Sequence, residues 1–510
     1  MMTANIRRLS AYLVVGFAIV SLGLGYWAVI DAPTLAARAD NPEVINARRS
    51  APRGTIFDAT GGVLASTTLT DGLAVRSYAD PAFSHIIGYA SLRYGTTGLE
   101  EAYDDILSGL ADPNPVSQMI DELLDRPMQP SDLQLTIDRR LQDFAAQQLG
   151  ASVGAIVALD PRTGAILASV SSPTYDASSL TGDSESTAGA LDAISAQPNN
   201  PLVDRTRQGR YTPGSIMKVF TAAAALDSGV ITPDTTYEDQ PAQETEGFVV
   251  DGFTITEHDL GVPPALWDLS PAMQVSSNIY FAHVGLDLGP ERFTEYAKRF
   301  GFCSGFTIGE GDRALAVAPS YVTVSSPDGG CSAFNGDVDL ASAAFGQAEV
   351  VVTPMQMARV AATIANGGVM PELYVVGSVR SHSDTGAPGD IVLDRATPGA
   401  GRRVVGQSTA AQVRSVMVDA VEGELGRLYA GNGAVTLYGA SGSTAGKTGT
   451  AQRAEGEPHS WFIGFAPAQA GATPAIAVAV LLEGGGAGSV GAAPIGGAVM
   501  AQWLTLQAAR

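Results

Sequence analysis

From Ala11 to Ile30 the chain runs for twenty residues without a charge, and Arg7 and Arg8 stand just before the run. Its only hydroxyls belong to Tyr12, Ser21 and Tyr26. At about 1.5 Å per residue a helix of this length reaches about 30 Å, the hydrocarbon thickness of a bilayer. Basic residues on the amino side put residues 1–10 in the cytoplasm and everything after Ile30 outside. A cleaved signal peptide competes with this reading, with Ala37-Arg38-Ala39 as the cleavage site. The run is longer than a signal peptide's apolar region, however, and that site lies well beyond its end, so an uncleaved anchor is expected. No later run is long enough to span, since Ala475 to Leu482 has only the length of a strand.

Outside the membrane cysteines tend to oxidise. There are two, Cys303 and Cys331, and the sequence leaves open whether they bond or sit apart as small core residues. Lys and Arg number 30 against 52 Asp and Glu, a formal charge of -22, with no basic run, so nucleic acid is not an expected partner. His85, His258, His283, His382 and His459 form no metal-ligand spacing, so neither a metal nor another cofactor is expected.

Charged residues make up 16% and hydrophobic residues 45%, a balance that suits folded domains, and 510 residues leave room for two to four. Thr55-Ile56-Phe57-Asp58, a turn, and Gly62-Val63-Leu64-Ala65 read as a hairpin. Leu133 to Ile137 reads as a strand, and Asp138 as the N-cap of a helix from Arg139 to Leu149. Ala155–Leu159 and Ala165–Val170 flank Asp160-Pro161-Arg162-Thr163-Gly164, a second hairpin, which we take to open a new domain near Ala151. The Ser- and Asp-rich stretch from Asp176 to Asn200 reads as a surface loop. The division that results is a tail over 1–10, an anchor over 11–30, an extended domain over 31–150 and a larger domain over 151–510.

The chemistry concentrates at Tyr211-Thr212-Pro213-Gly214-Ser215-Ile216-Met217-Lys218. Pro213 and Gly214 make a turn, and the Ala-rich run that follows is a strong helix former ending near Gly229. Ser215 therefore falls at a helix start, where unpaired amides can meet an oxyanion, and Lys218 lies one turn on along the same face. A lysine walled in by apolar side chains loses preference for its charged form and could take the serine proton. Alone, Ser-x-x-Lys is a common accident. Downstream, Leu269-Ser270-Pro271 reads as a helix start with Ser270 as cap. Ser276-Ser277-Asn278 follows, as a polar turn between helices or as a hydroxyl and an amide aimed into a cleft. Gly446-Lys447-Thr448 invites comparison with a phosphate-binding loop, but the glycine lies at Gly442 where the motif needs position 441, and no helical periodicity follows. Lys447 to Thr450 are instead expected on a strand at the edge of a cleft, with Trp461 to Phe465 pairing back and a helix from Gly497 to Gln507 covering the sheet.

Ser-x-x-Lys, Ser-x-Asn and Lys-Thr-Gly in this order resemble the signature set of penicillin-binding proteins and serine β-lactamases. Arg53-Gly54-Thr55-Ile56-Phe57-Asp58, His85 to Tyr89 and Gly98 to Asp104 are similar to pedestal motifs of the class B penicillin-binding proteins. Phe345-Gly346-Gln347-Ala348 resembles their transpeptidase domain, with Ala348 replacing a glycine at a position we read as one of close packing. The resemblance implies an α+β transpeptidase domain, an antiparallel sheet flanked by helices, on a pedestal and a single transmembrane helix of a bacterial cell membrane, catalytic domain outside. It implies a D,D-transpeptidase that cross-links peptidoglycan stem peptides through an acyl-serine and is blocked by β-lactams. It gives Ser215 as nucleophile, Lys218 as base, Ser276 as proton relay and Asn278 as substrate holder. Lys447 with Thr448, Gly449 and Thr450 would bind the terminal carboxylate, and the amides of Ser215 and Thr450 would form the oxyanion hole. A β-lactamase or carboxypeptidase, using water as acceptor, and a penicillin sensor without turnover are the alternatives. Nothing between Ile30 and Ala151 resembles a glycosyltransferase motif, and the resemblance to class B proteins implies a SEDS-family glycosyltransferase as partner.

Overall fold

The computed structural model describes residues 2–27, 52–70, 73–110, 129–182, 185, 187–383, 386–395, 399, 401–426, 444–453 and 455–509. Helix α1 (Met2–Gly25) carries the apolar run, and its segment Asn5–Gly25 is long and apolar enough to cross a membrane. The helix begins at Met2, so the residues expected as a separate tail continue it. Residues 28–30, at the end of the run, lie outside the described residues, as do Ala434 to Tyr438.

Along the chain come β1 (Ile56–Phe57), β2 (Val63–Thr70), β3 (Leu73–Tyr78), β4 (Ser131–Leu135), α2 (Arg139–Leu149), β5 (Gly154–Leu159) and β6 (Ile166–Ser172). There follow α3 (Met217–Asp227), α4 (Leu269–Val275), α5 (Asn278–Arg299), α6 (Pro354–Ala365), β7 (Val376–Ser381), β8 (Ile391–Asp394) and α7 (Gln407–Glu422). The last elements are β9 (Ala445–Ala451), β10 (His459–Ala466), β11 (Ile476–Leu482) and α8 (Ala492–Ala508). Asp138 caps α2 as expected, accepting from the Arg140 amide at 3.0 Å. Asp268 and not Ser270 caps α4: its side chain accepts from the Ser270 amide, which sets Pro271 inside the first turn and leaves the Ser270 hydroxyl to donate to Asp419. The stretch from Asp176 to Asn200 is not wholly loop, for it holds a 3-10 turn over Ala177–Leu180 and a short helix over Ala190–Ser195. Helix α8 starts at Ala492, five residues ahead of the expected Gly497.

The pedestal sheet has six strands in the order β8-β7-β4-β1-β2-β3, with only β1 and β4 parallel. Its motif residues have a structural use. Glu100 is fully buried between two guanidiniums, accepting from Arg53 at 2.5 Å and from Arg76 at 2.7 Å. Asp58 accepts from the amides of Thr60, Gly62 and Arg139, which ties the first hairpin to α2. A buried carboxylate is tolerated only with such a full set of partners.

The second sheet is antiparallel throughout, in the order β9-β10-β11-β5-β6. Its inner strands β5 and β11 are apolar on both faces because both faces are covered. Ile156, Ala158, Val478 and Val480 share one cluster with Leu141 of α2 and Val499 and Trp503 of α8. Their neighbours Val157, Ala477 and Ala479 face the other way, into the cluster that holds α6 and α3. Strand β9, carrying Lys447 to Thr450, is the edge strand, as expected. Cys303 and Cys331 are disulfide-bonded, which decides the alternative that the sequence left open.

Candidate active site

Ser215 sits in a single 3-10 turn, Gly214–Ile216, that leads directly into α3. The approach to it is pinned from three sides. Tyr211 exchanges both backbone hydrogen bonds with Val352, the Gly214 amide donates to Gly346 O at 2.9 Å, and the Trp461 indole donates to Thr212 O at 2.9 Å. The turn lies so close to β9 that a Cβ on Gly214 would stand 2.8 Å from Thr450 O, and one on Gly449 would stand 2.8 Å from Pro213 O. Only glycine fits either side of that contact.

Lys218 occupies the first turn of α3, whose residues from Met217 to Leu226 are all buried. Its Nζ lies 3.0 Å from Ser215 Oγ, 2.5 Å from Ser276 O, 2.9 Å from Asn278 Oδ1 and 3.2 Å from Ser276 Oγ. The face of the Phe281 ring closes the pocket, its centroid 5.7 Å away. Burial drops the lysine from its ordinary 10.5 to about 7, with the charge of Glu257 pulling the other way. A neutral amine has two N–H groups and one lone pair. Ser276 O and Asn278 Oδ1 can only accept, so they take the two hydrogens and leave the lone pair for the Ser215 hydroxyl.

Ser276 ends α4 in the left-handed region, at φ 62 and ψ 39. Ser277 then caps α5, accepting from the Tyr280 amide at 3.1 Å. The segment is thus a polar turn between helices and also a pair of groups aimed inward. From β9, Lys447 reaches across and donates to Ser276 Oγ at 2.9 Å and to Thr448 O at 3.1 Å. Burial, and then repulsion from Lys218, hold Lys447 well below the usual lysine range. Strand alternation turns Thr448 and Thr450 to the opposite face from Lys447 and Gly449, and both are half-buried. The Thr450 hydroxyl accepts from the Gly488 amide at 3.1 Å. All eight residues singled out in the sequence therefore lie in the turn before α3 and its first helical turn, at the α4–α5 junction or on β9.

Two features were not foreseen. Ala348 has a positive φ of 58, so the position of the expected glycine is one of left-handed backbone and not only of close packing. Glu257, in the loop before α4, is a buried carboxylate against the start of α5. Nothing local marks it, since an acidic residue beside a histidine in a polar stretch is an ordinary surface pattern. Among the described residues no group of His, Cys, Asp or Glu is arranged to hold a metal.

A hydroxyl beside a buried lysine whose charged form is disfavoured is suited to taking up an acyl group, and the fold and site together define the class: an active-serine acyl-transfer enzyme. The family described as "Penicillin binding protein transpeptidase domain" matches residues 154–501, and "Penicillin binding protein A dimerisation domain" matches residues 53–133. The chain belongs to the penicillin-binding protein transpeptidase family, as a class B member. It is 32% identical to the peptidoglycan D,D-transpeptidase PbpA of Mycolicibacterium smegmatis over 99% of both chains. It is 34% identical to PbpA of Mycobacterium tuberculosis over 98% of both. Among solved structures it is similar to penicillin-binding protein A from M. tuberculosis as a ceftriaxone acyl-enzyme, with a TM-score of 0.74 and 31% identity over 89% of this chain and 98% of that one.

Proposed function

We propose that Ser215 carries the acyl group in a peptidoglycan cross-linking reaction for which Lys218 is the general base. The protein is a serine-type peptidoglycan D,D-transpeptidase. Ser215 Oγ attacks the carbonyl of the penultimate D-Ala of a stem peptide while its proton moves to Lys218 Nζ. The tetrahedral oxyanion is met by the amides of Ser215 and Thr450. The proton passes through Ser276 Oγ, which touches both lysines, to the departing D-Ala. An amine from a neighbouring strand then attacks the acyl-serine and restores the hydroxyl. Asn278 holds the substrate, and Lys447 with Thr448, Gly449 and Thr450 receives the terminal carboxylate. The observation that carries this reading is the contact of Lys218 Nζ with Ser215 Oγ at 3.0 Å, with the amine's other close partners being acceptors. A fluorescent penicillin should label Ser215 and stay attached for many minutes, and D-Ala release from a stem peptide should depend on an added amine acceptor. Rapid recovery of free enzyme, or release in water alone, would assign it instead as a β-lactamase or carboxypeptidase.

The division into tail, anchor, pedestal and catalytic domain at 10, 30 and 150 belongs to the same proposal, supported by the placement of the two family matches, although β7 and β8 pair into the pedestal sheet. So does anchoring through α1 in a bacterial cell membrane with the catalytic domain outside. A single anchor and a noncatalytic pedestal supply a docking surface for a SEDS-family glycosyltransferase that makes the strands to be cross-linked. Exchange of α1 for an unrelated transmembrane helix should weaken co-purification with that polymerase while Ser215 still reacts with penicillin.

A further inference from the structure

Glu257 follows a short hairpin, Phe248–Val250 with Phe253–Ile255, and its side chain is 2% exposed. Both of its oxygens are fully engaged. Oε1 accepts from the Asn278 amide at 2.9 Å and faces His258 Nδ1 at 2.9 Å; Oε2 accepts from the Ile279 amide at 3.1 Å and from the Ser277 hydroxyl at 2.7 Å. The two amides are the first of α5, which no turn of that helix can satisfy, and a negative charge there is favoured by the helix dipole. One residue thus grips Ser277, Asn278 and Ile279 together, and Asn278 is the residue whose Oδ1 touches Lys218.

We propose that Glu257 is a positioning residue for acylation: it clamps the start of α5 so that Ser276 and Asn278 present their oxygens to Lys218, and it supplies a negative charge facing the buried Lys218 amine. The geometry alone argues the first part, since the Ser276 and Asn278 contacts to Lys218 come from a turn whose other side is held by this carboxylate. The second part follows from what faces each group. Lys218 meets Ser215 from the turn before its own helix, Ser276 and Asn278 from the α4–α5 turn, Phe281 from α5, Lys447 from β9 and the charge of Glu257 from the loop. Glu257 in turn faces His258 and Lys218, with Glu244 near enough to feel its charge. Burial would push the Glu257 carboxyl up, but the His258 hydrogen bond, the Lys218 charge and the Asn278 amide outweigh it and hold it below the usual range.

This inference rests on Lys218 as the base, so Lys218→Ala is assayed alongside. Acylation by a fluorescent penicillin is followed between about pH 5 and 9 for the wild type and Glu257→Gln, with thermal unfolding of each. Glutamine keeps the size but removes the charge and replaces an acceptor with a donor against one amide. The ammonium of Lys218 then loses its counter-charge, so the acid limb of the profile should move to lower pH, and the plateau rate should fall roughly 10- to 100-fold through lost alignment. A merely structural residue would lower the unfolding temperature without moving the limb, and that result overturns the proposal, as does an unchanged profile. If Glu257→Gln prevents folding, Glu257→Asp is assayed instead: it keeps the charge but is too short to reach both amides, so the plateau should fall roughly 10- to 100-fold with the limb in place, and an unchanged plateau overturns the proposal. Normal acylation by Lys218→Ala would instead sink the assignment of the base, a failure distinct from that of Glu257.

Discussion

Lys218 Nζ touches Ser276 twice, at 2.5 Å through the main-chain oxygen and at 3.2 Å through the hydroxyl. Both contacts come from one residue, whose backbone is left-handed. For a residue with a Cβ that conformation costs about 1–2 kcal/mol, and a hydrogen bond from a buried amine returns a similar amount. Strain of this kind persists only where the surroundings enforce it, and the three residues that follow Ser276 are all held by Glu257.

Acylation should depend on pH through Lys218. With its value near 7, the rate should rise through that pH to a plateau and fall about tenfold per unit on the acid side. Lys218→Arg, which stays charged, should lower the rate by at least roughly 10²-fold at every pH. The linkage to stability has a definite sign: between about 7 and 10.5 the unfolded chain binds the proton that the folded chain refuses, so this residue's contribution to stability rises with pH across that window. Stopped-flow labelling and urea titrations at several pH values measure both.

Ser215→Ala should abolish covalent labelling and leave the fold intact. Ser215 is half-exposed and Lys218 keeps three other contacts, so the stability change should stay within about 0.5 kcal/mol. In-gel fluorescence and a melting curve on the same sample decide it; undiminished labelling would remove Ser215 from the mechanism.

Ala348→Gly should stabilise the protein. A left-handed backbone at φ 58 costs alanine about 1–2 kcal/mol, against about 0.5–1 kcal/mol for the greater freedom of glycine in the unfolded chain, so the net gain lies between about 0 and 1.5 kcal/mol. The urea midpoint should move up, with an unchanged slope.

Replacing Cys303 and Cys331 together with alanine opens a loop with a sequence separation of 28 and should cost about 3–4 kcal/mol. Penicillin labelling at low temperature should survive, since neither residue touches Lys218 or Ser215. Equal denaturation midpoints with and without a reductant for the wild type would contradict this.

Single elements were legible wherever a local period governs. The spacing of three that puts Ser215 and Lys218 on one face, the cap at Asp138 and the hairpin of β5 and β6 are each decided within a few residues. The apolar run of α1 is set by length and composition in the same way. The cap of α4 was misplaced because Asp268, Ser270 and Pro271 all carry the same start signal, and only packing chooses among them. Ala348 and Ser276 look ordinary in the sequence because a positive φ on a residue with a side chain is imposed from outside it.

What the sequence by itself determined is the membrane-length helix, the three motifs in order and the helix or strand that carries each. Tertiary structure alone decided that they meet: Lys218 joins a residue 58 positions away, and Lys447 reaches the same hydroxyl across 171. It also bonded Cys303 to Cys331, drew β7 and β8 into the pedestal sheet and set Glu257 beneath the α4–α5 turn. The reason is physical. Helix and strand periods are properties of neighbouring residues, whereas desolvating a lysine, satisfying a buried carboxylate or straining a serine depends on groups that only the packed core brings within a few ångströms.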